Sequence, residues 1–315
     1  MGLDRLATER VNPETVDLDR LDALRILERI NDQDRHVATA VRAALPDVAR
    51  GVDLALDRWR RGGRVVLFGA GTSGRLAALD AAELRPTFSV PPGRYLARIA
   101  GGVGAFERAV EGAEDDIDAG AAAAEDLTEV DVAFGIAASG RTPWVIGALR
   151  HARERGAATI SLACVRQPAL ALAADVSIEV DTGAEPIVGS TRMKAGTAQK
   201  MVLNAFSTAL MVRLGKVYGN LMVDLQATNE KLRQRATRLV QQVAACSADD
   251  AREALAASSW QVKTAIAMRR LGVSADEARA RLEQADGYLR VVLAEPGHEL
   301  RRAGPASRAG RRPAG

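Results

Sequence analysis

A chain of 315 residues with 47% apolar side chains can bury a sizeable core, as one large domain or two modest ones, and only 3% of it is aromatic. Its formal net charge of +3 comes from residues 300–315, which hold five arginines (Arg301, Arg302, Arg308, Arg311, Arg312) and no acid; the rest carries −2, which excludes a basic body built for nucleic acid. The first ten residues lack the apolar run of a signal peptide and no apolar stretch reaches membrane-spanning length, so a soluble, cytoplasmic protein with no membrane or nucleic-acid partner is expected.

Cys164 and Cys246 sit among small or apolar residues and read as free thiols. His36, His151 and His298 show no ligand spacing, so no metal site is expected.

In chain order, Thr8-Glu-Arg-Val-Asn-Pro13 precedes two amphipathic helical patterns. The first covers about Leu18 to Ile30, with Leu21, Leu24 and Leu27 on one face; the second covers about His36 to Trp59, with Pro46 placed to kink or split it. Gly62-Gly63 ends the pattern. A strand from Val65 to Phe68 follows, cut off by Gly69, Gly71 and Gly74, and then a helix with Leu76 and Leu79. Strand, glycine turn and helix together leave backbone N–H groups at the positive end of a helix dipole, where an anion can sit. Thr72 and Ser73 add hydroxyls and Arg75 a charge.

The same glycines fit a dinucleotide fingerprint, but that site needs an acidic residue roughly 20 positions on. Pro86 to Phe106 contains none, so a phosphate is the favoured guest, beside the plainer reading of a turn that packs a helix on a sheet.

Further strands are expected at Tyr95–Ala100, Val132–Ala137, Thr159–Ala163 and Val176–Val180, with helical segments at Ala105–Ala124, Thr142–Arg155 and Pro168–Ala174. The alternation predicts an α/β fold, a five-stranded parallel sheet in a three-layer sandwich of helices. A second glycine turn, Ala138-Ser139-Gly140-Arg141-Thr142-Pro143, repeats the Ser-Gly-Arg of the first, and both should emerge at the carboxyl edge of the sheet. After the last strand, Thr182 to Lys200 leads into a long apolar helix ending near Leu214. Ser190 and Thr191 stand at its expected N-cap; Arg192 and Lys194 oppose the helix dipole unless an anionic ligand or an acidic side chain neutralises them.

Asn229 to Ala294 reads as a helical appendix broken near Ser247, Ser258, Gly272 and Gly287, with a capping box at Ser274–Glu277. The expected divisions are 1–60 as an N-terminal helical segment packing on the core, 61–225 as the sheet domain, 226–295 as the helical subdomain and 296–315 as a disordered arginine-rich tail.

Several of these strings, in order, resemble the N-acetylmuramic acid 6-phosphate etherases of the sugar isomerase (SIS) superfamily. They are Thr8–Pro13, Gly69–Glu83, the stretch around Val110–Asp116, Ser139–Leu149, Gly189–Lys200, Arg213–Asp224 and Thr228–Lys231. The likeness covers residues 8 to 294. One departure is Glu83-Leu84-Arg85-Pro86, where the family pattern has Cys-Pro after the glutamate.

The resemblance implies an SIS-type fold and cleavage of the lactyl ether at C3 of a muramic acid phosphate by elimination and water addition. It implies no cofactor, and a homodimer with its sites near the subunit interface. It assigns Glu83 as the acid that protonates lactate and Glu114 as the base at C2. Thr72, Ser73, Ser139, Gly140 and Thr142 would hold the phosphate, and Arg75, Ser190, Thr191 and Lys194 would line the substrate. Taken alone, Glu83 reads as a solvated or salt-bridged residue and Glu114 as part of a solvated acidic helical face with Glu111, Asp115 and Asp116. Two other classes stand beside it: a sugar-phosphate-responsive regulator, since the fold and loops look like those of glucokinase regulatory protein, and an aldose-ketose isomerase, which would share phosphate binding and C2 proton removal.

Overall fold

The computed structural model describes residues 7–108 and 110–294. The expected disordered tail at 296–315 lies outside the described residues. The described chain divides into two compact units: residues up to Lys216 with Asp224–Gln226, and Val217–Val223 with the residues from Ala227 onward.

The first unit is built on five parallel strands, β1 (Val65–Gly69), β2 (Tyr95–Ile99), β3 (Val132–Ile136), β4 (Ala158–Ala163) and β5 (Val176–Glu179), in the order β2-β1-β3-β4-β5. Each runs within a residue or two of the expected span. The apolar runs of β1, β3 and β4 are buried throughout, as strands covered on both faces must be.

Alternation along β3 sorts its two faces. Ala133 and Gly135 face α4 (Pro143–Glu154), where Gly135 lies against Val145 and Leu149, while Phe134 points to the other side and meets Phe206 edge-on at 5.0 Å. That second face is covered by α1 (Ala23–Arg60), α2 (Gly71–Phe88) and α5 (Lys194–Arg213), and Gly51 lets α1 approach Ile160 and Phe206 closely.

Three expectations are corrected. The two N-terminal helices are one 38-residue helix, α1, capped by Asp22, whose side chain accepts from the Arg25 amide. Pro46 does not split it because it lies on the exposed face, where the carbonyl it leaves unbonded meets water, while Val37, Val41, Ala44, Val48 and Val52 form one continuous buried stripe. The apolar stripe expected earlier is exposed at Leu24 (64%) and Leu27 (63%).

The helix expected over Ala105–Ala124 is mostly turns. A 3-10 segment (Val103–Phe106) and a run through Gly112 at φ +73° precede α3 (Ile117–Ala122), which begins only where Asp116 accepts from the Ala119 amide. Pro168–Ala174 is likewise a 3-10 turn, Ala169–Ala173. At the departure from the family pattern, α2 runs through Pro86 to Phe88 and closes on Ser89 in the left-handed region.

The second unit comprises α6 (Glu230–Ala244), α7 (Ala248–Ala257), α8 (Val262–Leu271), α9 (Ala275–Gln284) and α10 (Leu289–Leu293), with α6, α7, α9 and α10 all packed on α8. The breaks fall where expected. The reciprocal capping box, however, is at Ser247–Asp250; at Ser274 only the Glu277 amide is capped, because the Glu277 carboxylate pairs with Arg281.

Candidate active site

Strand order 2-1-3-4-5 puts the topological switch between β1 and β3, and ligands of such sheets bind outside the carboxyl ends at that crevice. Gly69 and Ile136 are register partners, so the loops after β1 and β3 leave the sheet side by side. The two Ser-Gly-Arg turns of the sequence are therefore neighbours.

The first turn is shaped by close approach. A Cβ on Gly74 would lie 2.5 Å from Cγ1 of Ile99 and 2.8 Å from the Gly69 carbonyl oxygen, so α2 can start this close to the sheet only on glycine. Gly71 takes φ +51°. Ala70 supplies no side-chain cap, and the amides of Gly71, Thr72 and Ser73 have no acceptor among the described residues. Three N–H groups at a helix N-terminus suit an anion.

The second turn is equally constrained. Gly140 takes φ +66°, and a Cβ there would meet Pro168 Cβ at 2.3 Å. Ser139 and Thr142 are half-buried; Thr142 occupies the N-cap of α4 without using its hydroxyl as a cap, ahead of Pro143. Arg141 Nη1 is buried without a hydrogen-bond partner among the described residues. The Trp144 amide, in the first turn of α4, donates to the Glu114 carbonyl at 3.0 Å. The α4 terminus therefore ties the Glu114 turn to the Ser139–Thr142 loop. Arg75 acts similarly from α2, its Nε donating to the Phe106 carbonyl at 3.1 Å.

A third segment closes on the first. A methyl at Gly196 would sit 3.4 Å from the Thr191 carbonyl oxygen and 3.6 Å from Cγ2 of Thr72, and Ser73 Oγ donates to Gln199 Oε1 at 3.0 Å. Thr72, Ser73, Thr191 and Gln199 are thus brought together, with Ser190 adjoining in sequence.

The expected N-cap at Ser190 and Thr191 is replaced. Met193 holds the cap position and uses no side chain, while the wholly buried Glu185 accepts from the amides of Lys194 (2.9 Å) and Ala195 (3.0 Å). Glu185 is the acidic neutraliser. Lys194 is turned inward, 4% exposed, with its ammonium on Gln33 Oε1 at 3.2 Å. Burial pulls the Lys194 ammonium down, opposed by Glu185, Glu14, Asp34 and Asp181; burial pushes the Glu185 carboxyl up, opposed by the two amides and Lys194. The N-terminal motif braces this cluster, Asn12 donating to Gln33 (2.8 Å) and Thr15 to the Pro186 carbonyl (2.8 Å).

Glu83 and Glu114 are both exposed. Glu114 lies in the turn before α3, not on a helix. Glu83 lies ten residues beyond Ser73 on α2, a rise of about 15 Å. Three residues before it, the buried Asp80 takes hydrogen bonds from Asn204 (2.7 Å), Ser207 (3.0 Å) and Tyr95 (3.1 Å), which locks α2 to α5 and β2. Burial pushes the Asp80 carboxyl up against those three donors.

Sequence reasoning missed Glu185, Gln199 and Asp80 as the residues that hold these parts. Glu185 and Gln199 lie inside strings already singled out, but no local spacing marks a partner across the fold.

Comparison with known proteins follows the same parts. Residues 108–209 match the SIS domain, 47–153 the glucokinase regulatory protein N-terminal SIS domain, and 219–285 the C-terminal lid domain of glucokinase regulatory protein. Among solved structures, a phosphoheptose isomerase from Francisella tularensis aligns over 59% of this chain and 98% of its own at 18% identity and TM-score 0.45.

The chain is 52% identical over 295 residues to N-acetylmuramic acid 6-phosphate etherase of Yersinia pestis (strain Pestoides F), covering 93% of this chain and 100% of that one. It is equally similar to the enzyme of that name from Yersinia pseudotuberculosis serotype O:1b (strain IP 31758). At that identity and coverage, the chain belongs to the N-acetylmuramic acid 6-phosphate etherase family.

Proposed function

We propose that this protein is a carbon–oxygen lyase that removes the D-lactyl ether from C3 of N-acetylmuramic acid 6-phosphate, giving N-acetylglucosamine 6-phosphate and D-lactate in cell-wall sugar recycling. The observation that carries the reading is the 52% identity sustained over 93% of the chain and the full length of the relative. The paired loops at the switch point support it, since they offer free amides and hydroxyls to a phosphate.

The chemistry explains why two carboxyls are needed. Direct displacement of an ether at C3 is slow, but in the open-chain sugar the C2 hydrogen is acidified by the aldehyde. Glu114 takes that proton, the C3–oxygen bond breaks with its electron pair on oxygen, and Glu83 protonates the departing lactate. Water then adds across the unsaturated aldehyde, hydroxyl to C3 and proton to C2, and returns both carboxyls to their starting states. Each positioned proton-transfer group supplies on the order of 10²- to 10⁴-fold. The sequence is redox-neutral and calls for no cofactor.

In this scheme Thr72, Ser73, Ser139, Gly140 and Thr142 hold the phosphate, and Arg75, Ser190 and Thr191 border the sugar. Lys194 acts through Gln33 and Glu185 as a brace for the loop. Glu114 is tied to its own chain's loop through Trp144, whereas Glu83 stands about 15 Å along α2 from Ser73. A cytoplasmic homodimer, in which Glu83 of one subunit serves the loops of the other, accommodates both facts. Among the described residues no helix is long and apolar enough to cross a membrane.

The test is to supply N-acetylmuramic acid 6-phosphate and fructose 6-phosphate side by side in ¹⁸O-water. Lactate release with label at the sugar C3 hydroxyl is expected. Isomerised sugar without lactate would favour an isomerase, binding without turnover a regulator, and label only in lactate a different bond cleavage.

A further inference from the structure

Ser73 has one hydroxyl proton, and in the structure it is spent on Gln199 Oε1 at 3.0 Å. Ser73 is 7% exposed and Gln199 is wholly buried. The other end of the same amide, Nε2, is buried with no hydrogen-bond partner among the described residues. The pair is therefore half-satisfied: a buried N–H donor is orphaned while the neighbouring serine is committed to donating away from the helix terminus.

The oxygens of a phosphate group are strong acceptors, so a serine whose proton is engaged elsewhere offers one nothing. A half-turn of the Gln199 carboxamide about its last torsion exchanges N and O within nearly the same volume. Nε2 then donates to Ser73 Oγ, and the Ser73 proton is released toward the free amides of Gly71, Thr72 and Ser73, where an anion would sit. The turned amide leaves a carbonyl oxygen, not an N–H group, without a partner, and buried carbonyls tolerate this better. A donor feeding a hydroxyl also polarises the bond that hydroxyl makes.

We propose that Gln199 is a positioning residue for the phosphoryl group: its carboxamide sets which way the Ser73 hydroxyl donates, so anion binding at α2 and the orientation of Gln199 are coupled. This rests on the reading that the first turn of α2 takes the substrate phosphate. Gln199 is suited to the task because the start of α5 is fixed by Glu185 and fitted against Thr72 at Gly196.

The experiment is a double-mutant cycle on Gln199→Leu and Ser73→Ala, read by calorimetry with N-acetylglucosamine 6-phosphate and by lactate-release kinetics, with melting temperatures to confirm folding. With Ser73 present, Gln199→Leu should weaken binding about fivefold, the worth of one hydrogen bond, and raise KM by the same factor with kcat within about twofold. In the Ser73→Ala background the same change should cost less than about twofold. Equal losses in both backgrounds, or no loss with Ser73 present, overturn the coupling and leave Gln199 a packing residue. Should Gln199→Leu not fold, Gln199→Met carries the same cycle. A wild-type protein that binds the sugar phosphate but releases no lactate removes the proposed reaction and leaves the cycle readable by calorimetry. One that binds no sugar phosphate overturns both.

Discussion

The carbonyl of Glu114 accepts a hydrogen bond from the Trp144 amide at 3.0 Å, so the turn bearing one proposed catalytic carboxylate is tied to the helix that follows the loop bearing Ser139 and Thr142. Two glycines set the same spacing. A Cβ on Gly120 would lie 1.9 Å from the Trp144 carbonyl oxygen, and one on Gly147 would lie 2.1 Å from that of Ile117. Helices α3 and α4 thus meet backbone to backbone. Gly120→Ala or Gly147→Ala must push them apart, costing about 1–3 kcal/mol of stability. Both variants should melt earlier than wild type and lose kcat/KM beyond what the melting shift explains, because Glu114 is displaced from the loop. Wild-type kinetics in a destabilised protein would uncouple Glu114 from α4.

The separation of Glu83 from Ser73 along α2 yields a second prediction. Glu83→Gln and Glu114→Gln alter exposed side chains, so each should fold like wild type and release lactate at least about 10²-fold more slowly. If Glu83 serves the neighbouring subunit's site, unfolding and refolding the two variants together restores activity. Mixed dimers contain one site with both glutamates intact, so recovery should approach about one quarter of wild type, as random pairing into two-fold dimers dictates. No recovery would put both carboxyls in one subunit.

The strands and the two glycine turns were legible because each is a local pattern: a short apolar run, then glycines where the chain must bend or pack closely. The parallel sheet between helical layers followed from their alternation with helices, and its SIS type only from the family resemblance. The unbroken α1 was not legible, because whether Pro46 splits a helix depends on which face it occupies, and that is decided by α5 and the sheet. The turn around Glu114 was missed for a related reason. Its alanine-rich neighbourhood favours helix, but the Trp144 amide takes the Glu114 carbonyl into a different hydrogen bond. The cap of α5 could not be read at all, since Glu185 lies nine residues before Lys194 and no short spacing signals such a cap.

The charge cluster below the sheet makes stability depend on acid. Asp131 is buried and accepts from the Arg64 amide (2.7 Å), the Arg64 guanidinium (2.9 Å) and the Thr128 amide (3.0 Å), joining the starts of β1 and β3. Burial works against its charge, but those donors hold its carboxyl below the usual range; Arg98, then Arg64, hold Asp126 lower still. Carboxyls depressed in the folded state contribute fully above their unfolded pKa of about 3.9 and lose that contribution as pH falls through the folded values. The urea midpoint should therefore drop on acidification below about pH 4. Asp131→Asn should cost about 2 kcal/mol at pH 7, a figure discounted because Arg64 is 28% exposed, and should flatten that acid limb. A midpoint in Asp131→Asn that tracks wild type at every pH would remove the cluster from the stability balance.

The second glycine turn separates binding from chemistry. Ser139 is half-buried beside Gly140 and has no side-chain hydrogen bond among the described residues, so its hydroxyl is free to donate to an anion. Removing one such charge-assisted bond costs about 1.5–3 kcal/mol, so Ser139→Ala should raise KM roughly 10- to 100-fold while kcat changes by less than about threefold. Gly140→Ala acts differently. It places a methyl 2.3 Å from Pro168 Cβ on a backbone at φ +66°, so the loop itself must shift, carrying Ser139 and Thr142 with it. Its KM should rise more than that of Ser139→Ala, with a melting temperature lowered by several degrees for the roughly 1–2 kcal/mol of strain. Binding of N-acetylglucosamine 6-phosphate, measured by calorimetry, should weaken in the same order as the two KM values. A Ser139→Ala enzyme whose KM stays at the wild-type value, with kcat reduced instead, would move Ser139 from holding the phosphate to the reacting end of the sugar.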